Sequence, residues 1–286
     1  MNLVINISRK NSKGNPILYN NNYELDSIEL EFNKTNGERI SADLVLKNAI
    51  LNRVLFIECK DGGVKVDQAD RYKTLSNHDI LNARITNLSG EIAHEVVYLG
   101  TSAKRDKLIR DIQNGSYVFP VIINNNLKIN LEYNKFNCDL LQSIFTDNGG
   151  IEVKDFSTEY YPFGKDDSDL CILSRLWPTL VMYAISGEEF DTDDLLAKTH
   201  NYYNIIDKSS MKELKGRIAN MLDDLKKNDF NDFFAYPSKK RFKFRARGAQ
   251  AFGAKLKKYI EKADRTTPPA PAPSAQLCIT DYYLSL

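Results

Sequence analysis

The stretch Arg53-Val-Leu-Phe-Ile-Glu-Cys-Lys60 constrains this chain more than any other. Four successive apolar residues leave a strand nothing to show to water, so it belongs in the middle of a sheet. Asp61-Gly62-Gly63 then breaks it. The elements predicted on either side complete a layer. Residues 24–33 alternate apolar and polar, as a half-exposed strand does. Asn36-Gly37 supplies a hairpin turn and residues 39–46 the returning strand. A helix is predicted over 67–76, a second buried strand over 95–100 and a helix over 103–113. This order predicts an α/β fold, a mixed sheet flanked by helices.

Farther on, 117–123 and 127–133 read as strands around an Asn-rich turn. Near residue 168 the pattern turns helical. The segment 169–186 has helical periodicity, with Pro178 expected to kink or split it. A turn over 187–192 offers an Asp or Thr to cap a helix over 193–199. A longer helix follows over 209–227, with Ser210 and Glu213 at capping-box spacing. Residues 232–245 read as two short strands around Pro237-Ser238. After Ala263 comes a run rich in Pro and Ala, an extended tether that cannot form a core.

With 286 residues, 42% of them apolar, the chain has material for two domains. No apolar run approaches the roughly 20 residues that span a bilayer, and Met1-Asn-Leu-Val-Ile5 lacks the basic start of a secretory signal. An intracellular protein, cytoplasmic or nuclear and without a membrane partner, is the expectation. Cys59, Cys138, Cys171 and Cys278 stand singly, which predicts reduced thiols and no structural zinc. His78, His94 and His200 are equally scattered, so a surface or half-buried role is expected of each. The net charge of +1 gives no argument for nucleic acid. Its distribution does, since 139–194 is acidic and 208–265 basic, although such runs are also ordinary solvated surface.

The chemistry concentrates around Glu58. Phosphodiester hydrolysis needs an activated water and neutralisation of developing negative charge, and a divalent metal on carboxylates supplies both. Mg²⁺ keeps several waters and needs one or two protein carboxylates, which Asp43 and Glu58 provide. Residues two apart on a strand share a face, so Glu58 and Lys60 point together while Cys59 turns away. Asp43 joins them if the preceding strand pairs with this one. On the following helix Gln68 and Tyr72, four apart, share a face, with Arg71 nearby.

This pattern resembles the PD-(D/E)XK nuclease superfamily: an acid on one strand, apolar-apolar-Glu-x-Lys on the next, a glutamine on the helix behind. Gln68-Ala-Asp-Arg-Tyr72 is similar to the Gln-x-x-x-Tyr motif of its RecB-like members. The resemblance implies a restriction-endonuclease-like fold, Mg²⁺ (or Mn²⁺) on Asp43 and Glu58, Lys60 acting on the attacking water, Gln68 holding the site, and Arg71 and Tyr72 meeting substrate phosphate. Many members carry a further glutamate on an earlier helix. Here Glu24, Glu29 and Glu31 fall on a predicted strand, where Glu24 or Glu29 substitutes or, more simply, all are solvated. Two other Glu-x-Lys copies, at Glu152 and Glu213, lack the companions.

The order of elements over 165–264 resembles a winged helix-turn-helix. It implies Lys212, Lys215 and Arg217 on the long helix, and Lys239, Lys240, Arg241 and Lys243 on the wing, as DNA contacts. A module that only packs or dimerises is the other reading. The last segment, with Gln276, Ile279, Tyr282 and Tyr283, resembles the PIP box that docks on a PCNA-type sliding clamp. The expected organisation is therefore a nuclease domain over 1–164, a winged-helix-like domain over 165–264, a linker over 265–275 and a clamp-binding peptide over 276–286. The expected activity is metal-dependent cleavage of DNA, as an endonuclease or structure-specific nuclease, with double-strand cutting suggesting a homodimer. A non-catalytic DNA-binding or clamp-associated factor, and a restriction or phage-defence endonuclease, are the other readings.

Overall fold

The structure is a computed structural model that describes residues 1–10, 16–125, 128–152, 161–228, 230–235, 241–245 and 248–266. Lys239, Lys240, the Pro237-Ser238 turn, the linker from residue 267 and the clamp-binding Gln276, Ile279, Tyr282 and Tyr283 lie outside these residues.

In chain order the helices are α1 (Asn2–Ile7), α2 (Ile17–Asn20), α3 (Val66–Lys73), α4 (Asn77–Asn82), α5 (Arg105–Asn114) and α6 (Asp139–Thr146), then α7 (Asp169–Ser186), α8 (Thr192–Thr199), α9 (Lys208–Lys227) and α10 (Ala249–Thr266). The strands are β1 (Glu24–Asn33), β2 (Arg39–Asn48), β3 (Arg53–Cys59), β4 (Ala93–Thr101), β5 (Val121–Asn125), β6 (Lys128–Tyr133), β7 (Ile151–Glu152), β8 (Glu189–Phe190) and β9 (Phe242–Lys243).

In the described residues β1 to β7 form one mixed sheet in sequence order. β3, β4 and β5 run parallel, and the flanking pairs are antiparallel. β3 sits inside as its composition demands. Val54 and Phe56 enter a core shared with α3, α4 and α5, while Leu55 and Ile57 enter one shared with α1, α2, α6 and the C-terminal helices. The sheet is thus the middle of three layers, an α/β fold. Among the described residues no helix is long and apolar enough to cross a membrane.

Several expectations change. β5 begins only at Val121, because Tyr117 and Phe119 stack on each other ahead of Pro120. α7 runs through Pro178 unsplit: Leu173, Leu176, Leu180 and Tyr183 are buried along it, and packing of one face sustains a helix that local propensity would break. α9 is capped by Asp207, whose carboxylate accepts from the Ser209 and Ser210 amides, rather than by a Ser210/Glu213 box. Ser210 is one turn inside and fully buried. β9 pairs with β8, and residues 232–235 meet it through the single bridge Phe234–Phe244. His200 is neither at the surface nor half-buried. Its ring sits against Tyr161, Phe163 and Tyr202, with Nε2 2.9 Å from the Phe163 carbonyl, and burial lowers its pKa to about 4. Cys59, Cys138 and Cys171 are not joined in disulfides.

Candidate active site

β3 ends where the chain must leave the sheet, and the residues that matter stand there. The β2–β3 register pairs Leu44 with Ile57, so one step farther Asp43 comes level with Glu58. Glu58 follows Phe56 on the face covered by α3, where Gln68 and Tyr72 share one side of the helix. The loop between β3 and α3 is held against α5 by Asp111, whose carboxylate accepts from the Val64 amide at 3.0 Å. Gly63 permits this approach, because a Cβ there would collide with the Asp111 carboxylate.

The Glu58 carboxylate is buried and fully engaged. Lys60 Nζ donates to Oε2 at 2.8 Å, Gln68 Nε2 donates to the same oxygen at 2.8 Å, and Tyr72 OH donates to Oε1 at 2.5 Å. Gln68 also joins two strands through one amide, since Oε1 accepts from Lys60 at 2.8 Å and Nε2 donates to the Ser41 carbonyl at 3.1 Å. Asp43 Oδ2 accepts from the Cys59 amide at 2.6 Å. Asp43, Glu58, Lys60, Gln68 and Tyr72 are therefore brought together. Arg71 lies on the same helix, half-buried, with its Nε lacking a hydrogen-bond partner.

Electrostatics set this cluster apart. Burial, and after it the charge on Asp43, raise Glu58 to a pKa of about 7 against the pull of Lys60 and Tyr72. Burial likewise raises Asp43, although the Cys59 amide favours its charged form. Two carboxylates and one ammonium leave the site short of positive charge, and near neutrality a proton on Glu58 makes up the deficit. A hard divalent cation suits the same position, since all donors are oxygens and Mg²⁺ needs one or two carboxylates while keeping its waters. Among the described residues no three His, Cys, Asp or Glu side chains form a ligand group. Burial pushes the Cys59 thiol up to about 11, so it stands here as a neutral thiol and not a nucleophile.

Sequence reasoning overlooked Tyr98, on β4 level with Glu58. Its hydroxyl is buried without a partner, and its ring centroid is 5.6 Å from Lys60 Nζ. The signal was a polar tip in an otherwise apolar strand. The upstream glutamates also differ from expectation. Glu24 is exposed, but Glu31 pairs with Lys165 and Arg39, and Glu29 accepts from Tyr161 OH at 2.7 Å with its pKa raised to about 7, chiefly by burial. Glu29 and Glu31 are seam residues because the C-terminal helices cover β1 there.

The basic residues assigned to nucleic acid are mostly engaged within the chain. Lys215 pairs with Asp193 at 2.5 Å, Arg217 with Asp169, Arg241 with Asp191 at 3.3 Å and Asp194 at 2.7 Å, and Lys243 with Glu189 at 3.7 Å. Lys212 is exposed. The acidic and basic halves seen in the sequence thus meet each other. In the Glu213 copy of Glu-x-Lys the two side chains diverge, Glu213 toward Lys165 and Lys215 toward Asp193.

Comparison with known proteins divides the chain at the same seam. Residues 1–161 match the family described as the MJECL32 domain, and residues 165–269 match a domain of unknown function, DUF8601. No curated protein and no solved structure matches the chain.

Proposed function

We propose that this chain, which belongs to the MJECL32 domain family, is a metal-dependent nuclease that hydrolyses phosphodiester bonds in DNA. The observation that carries the reading is the single hydrogen-bonded cluster of Glu58, Lys60, Gln68 and Tyr72, with Asp43 beside it, at the carboxyl end of a parallel strand. Ligands of open α/β sheets gather at that end. Asp43 and Glu58 would hold Mg²⁺ or Mn²⁺, which supplies charge neutralisation for the phosphate and a more acidic water. Lys60, its ammonium held by Glu58 and Gln68, would orient the attacking water. Gln68 fixes both Lys60 and Glu58, and Tyr72 keeps Glu58 in one rotamer. Arg71 is the nearest candidate for a substrate phosphate.

Beyond the sheet, we read α7, β8, α8, α9 and the Phe234/β9 pairing as a winged helix-turn-helix. One face of its long helix packs on β1, where Ser210 donates to the Glu29 carbonyl at 2.9 Å, while Lys212 stays exposed. The peptide with Gln276, Ile279, Tyr282 and Tyr283 is proposed to dock on a PCNA-type clamp. A non-catalytic DNA-binding factor has one observation in its favour, that both Glu58 oxygens already have protein partners.

A panel of labelled single-stranded, duplex and branched DNA, incubated with Mg²⁺ or Mn²⁺ with and without a clamp, tests the proposal. Cleavage of at least one substrate, lost in Lys60→Ala, is expected. An intact panel beside salt-dependent binding would favour the non-catalytic reading.

A further inference from the structure

One rung of the sheet is irregular in both of its strands. Ile28 and Leu44 enter the core facing the C-terminal helices, but Leu30, Phe32, Ala42 and Ile40 enter the opposite core. Along a regular strand alternate residues keep to one face, so both strands change faces between these positions. The register pairs Ile28 with Leu44 and Leu30 with Ala42, which leaves Glu29 and Asp43 on the rung between. Glu29 has φ +53°, the left-handed region a glutamate rarely enters. Nothing in Ser27-Ile-Glu-Leu30 calls for that conformation, so contacts from elsewhere must hold it.

Those contacts come from the C-terminal module and the segment leading into it. The Ile28 amide donates to the Ile205 carbonyl at 3.0 Å, and the Asp207 amide donates to the Ile28 carbonyl at 3.0 Å. Ser210 Oγ donates to the Glu29 carbonyl at 2.9 Å. Tyr161 OH donates to the Glu29 carboxylate at 2.7 Å, and a Cβ on Gly164 would collide with that same carboxylate. Backbone and side chain of Glu29 are thus both clamped, on the rung of the acid that shares the site with Glu58.

We infer that the C-terminal module is a positioning element for the active site: through Ile205, Asp207, Ser210 and Tyr161 it holds Glu29 left-handed, and Glu29 sets where Asp43 stands. The inference rests on the proposed function only in treating Asp43 as a metal ligand. Glu29 and Tyr161 act through Asp43 and are positioning residues. The module's job under this reading is to complete the sheet domain's site, in place of presenting α9 to a groove.

The Cys59 amide reports on Asp43 directly, since its acceptor is the Asp43 carboxylate at 2.6 Å. The experiment is amide exchange by NMR on the full chain, with Mn²⁺ titrations, for the wild type, Tyr161→Phe and Ser210→Ala. Each substitution deletes one hydroxyl and leaves the packing close to unchanged. Cys59 protection is expected to fall about tenfold in each variant, as loss of one hydrogen bond's positioning allows, with Phe56 on the same strand unaffected and Mn²⁺ affinity reduced in step. Lower melting temperatures with unchanged Cys59 protection in both variants would make the seam merely structural and overturn the inference. If the wild type binds no Mn²⁺ while Cys59 still responds, the nuclease reading fails and the positioning role stands.

Discussion

Two buried glutamates stand at opposite ends of neighbouring parallel strands; burial raises the pKa of both, but their charged neighbours differ. Glu95, near the start of β4, meets Arg53 at 2.9 Å and accepts from the Asn137 amide at 2.7 Å and the Cys138 amide at 3.1 Å. One carboxylate faces one guanidinium, and the remaining lone pairs are satisfied. Glu58, at the end of β3, faces one ammonium but shares it with a second carboxylate, Asp43. Both acids have hydrogen-bond partners on their oxygens, so what differs is the charge around them: Glu95 is balanced by Arg53, whereas Glu58 and Asp43 together are one positive charge short. We read the first as a structural acid and the second as the acid of the proposed site.

The largest effect that sharpens the contrast is on activity. Glu58→Gln keeps the shape but removes the charge and puts an NH2 donor in place of one accepting oxygen, a change Tyr72 OH can absorb by donating to the Ser41 carbonyl instead. It should lower cleavage at least about a thousandfold, since several kcal/mol of transition-state stabilisation goes with the metal. Urea unfolding should find this variant at least as stable as the parent. Glu95→Gln should do the reverse. It leaves Arg53 against a neutral partner and is expected to lower unfolding free energy by about 3 kcal/mol, with cleavage per folded molecule unchanged.

The pH dependence of stability comes next. Glu58 and Glu29 have folded values of about 7, raised chiefly by burial. Their contribution is full below the unfolded value of roughly 4.3 and is lost as pH rises through 7. His200 is depressed to about 4, so its contribution is full above the unfolded value of roughly 6.5 and lost as pH falls toward 4. Denaturation measured from pH 5 to 8 should show stability falling with pH, and Glu58→Gln should flatten that fall by on the order of 2 kcal/mol across the window. An unchanged profile would remove the claim that Glu58 is crowded. The smallest effect belongs to the exposed pairs of the C-terminal module. Lys215→Ala, which frees Asp193, should cost about 1 kcal/mol or less in the same assay.

The sequence made the centre of this molecule readable because its signals are local. Four apolar residues in a row make a buried strand, Glu58 and Lys60 share one of its faces, and Gln68 and Tyr72 share a helix face one loop later. What stayed hidden depends on residues far apart. Glu29 is left-handed and its carbonyl accepts from a serine 181 positions away, a contact no local pattern announces. Ser210 looked like a cap because its spacing to Glu213 fits one, yet Asp207 three residues earlier took the role and freed Ser210 for the seam. His200 became buried when three aromatic rings from two segments closed around it. The opposed charge of 139–194 and 208–265 suggested an outward-facing surface. In the fold the two stretches pair with each other, as opposite charges on adjoining helices will when packing brings them close.

The central claim is that Asp43 and Glu58 together form a place for a divalent cation now occupied, near neutral pH, by a proton. Calorimetric titration with Mn²⁺ at pH 6.5, in two buffers of different ionisation enthalpy, measures binding and proton release at once. The account predicts binding accompanied by release of a proton, with both lost in Glu58→Gln and binding weakened in Asp43→Asn. Absence of binding, or binding that neither substitution disturbs, would contradict it.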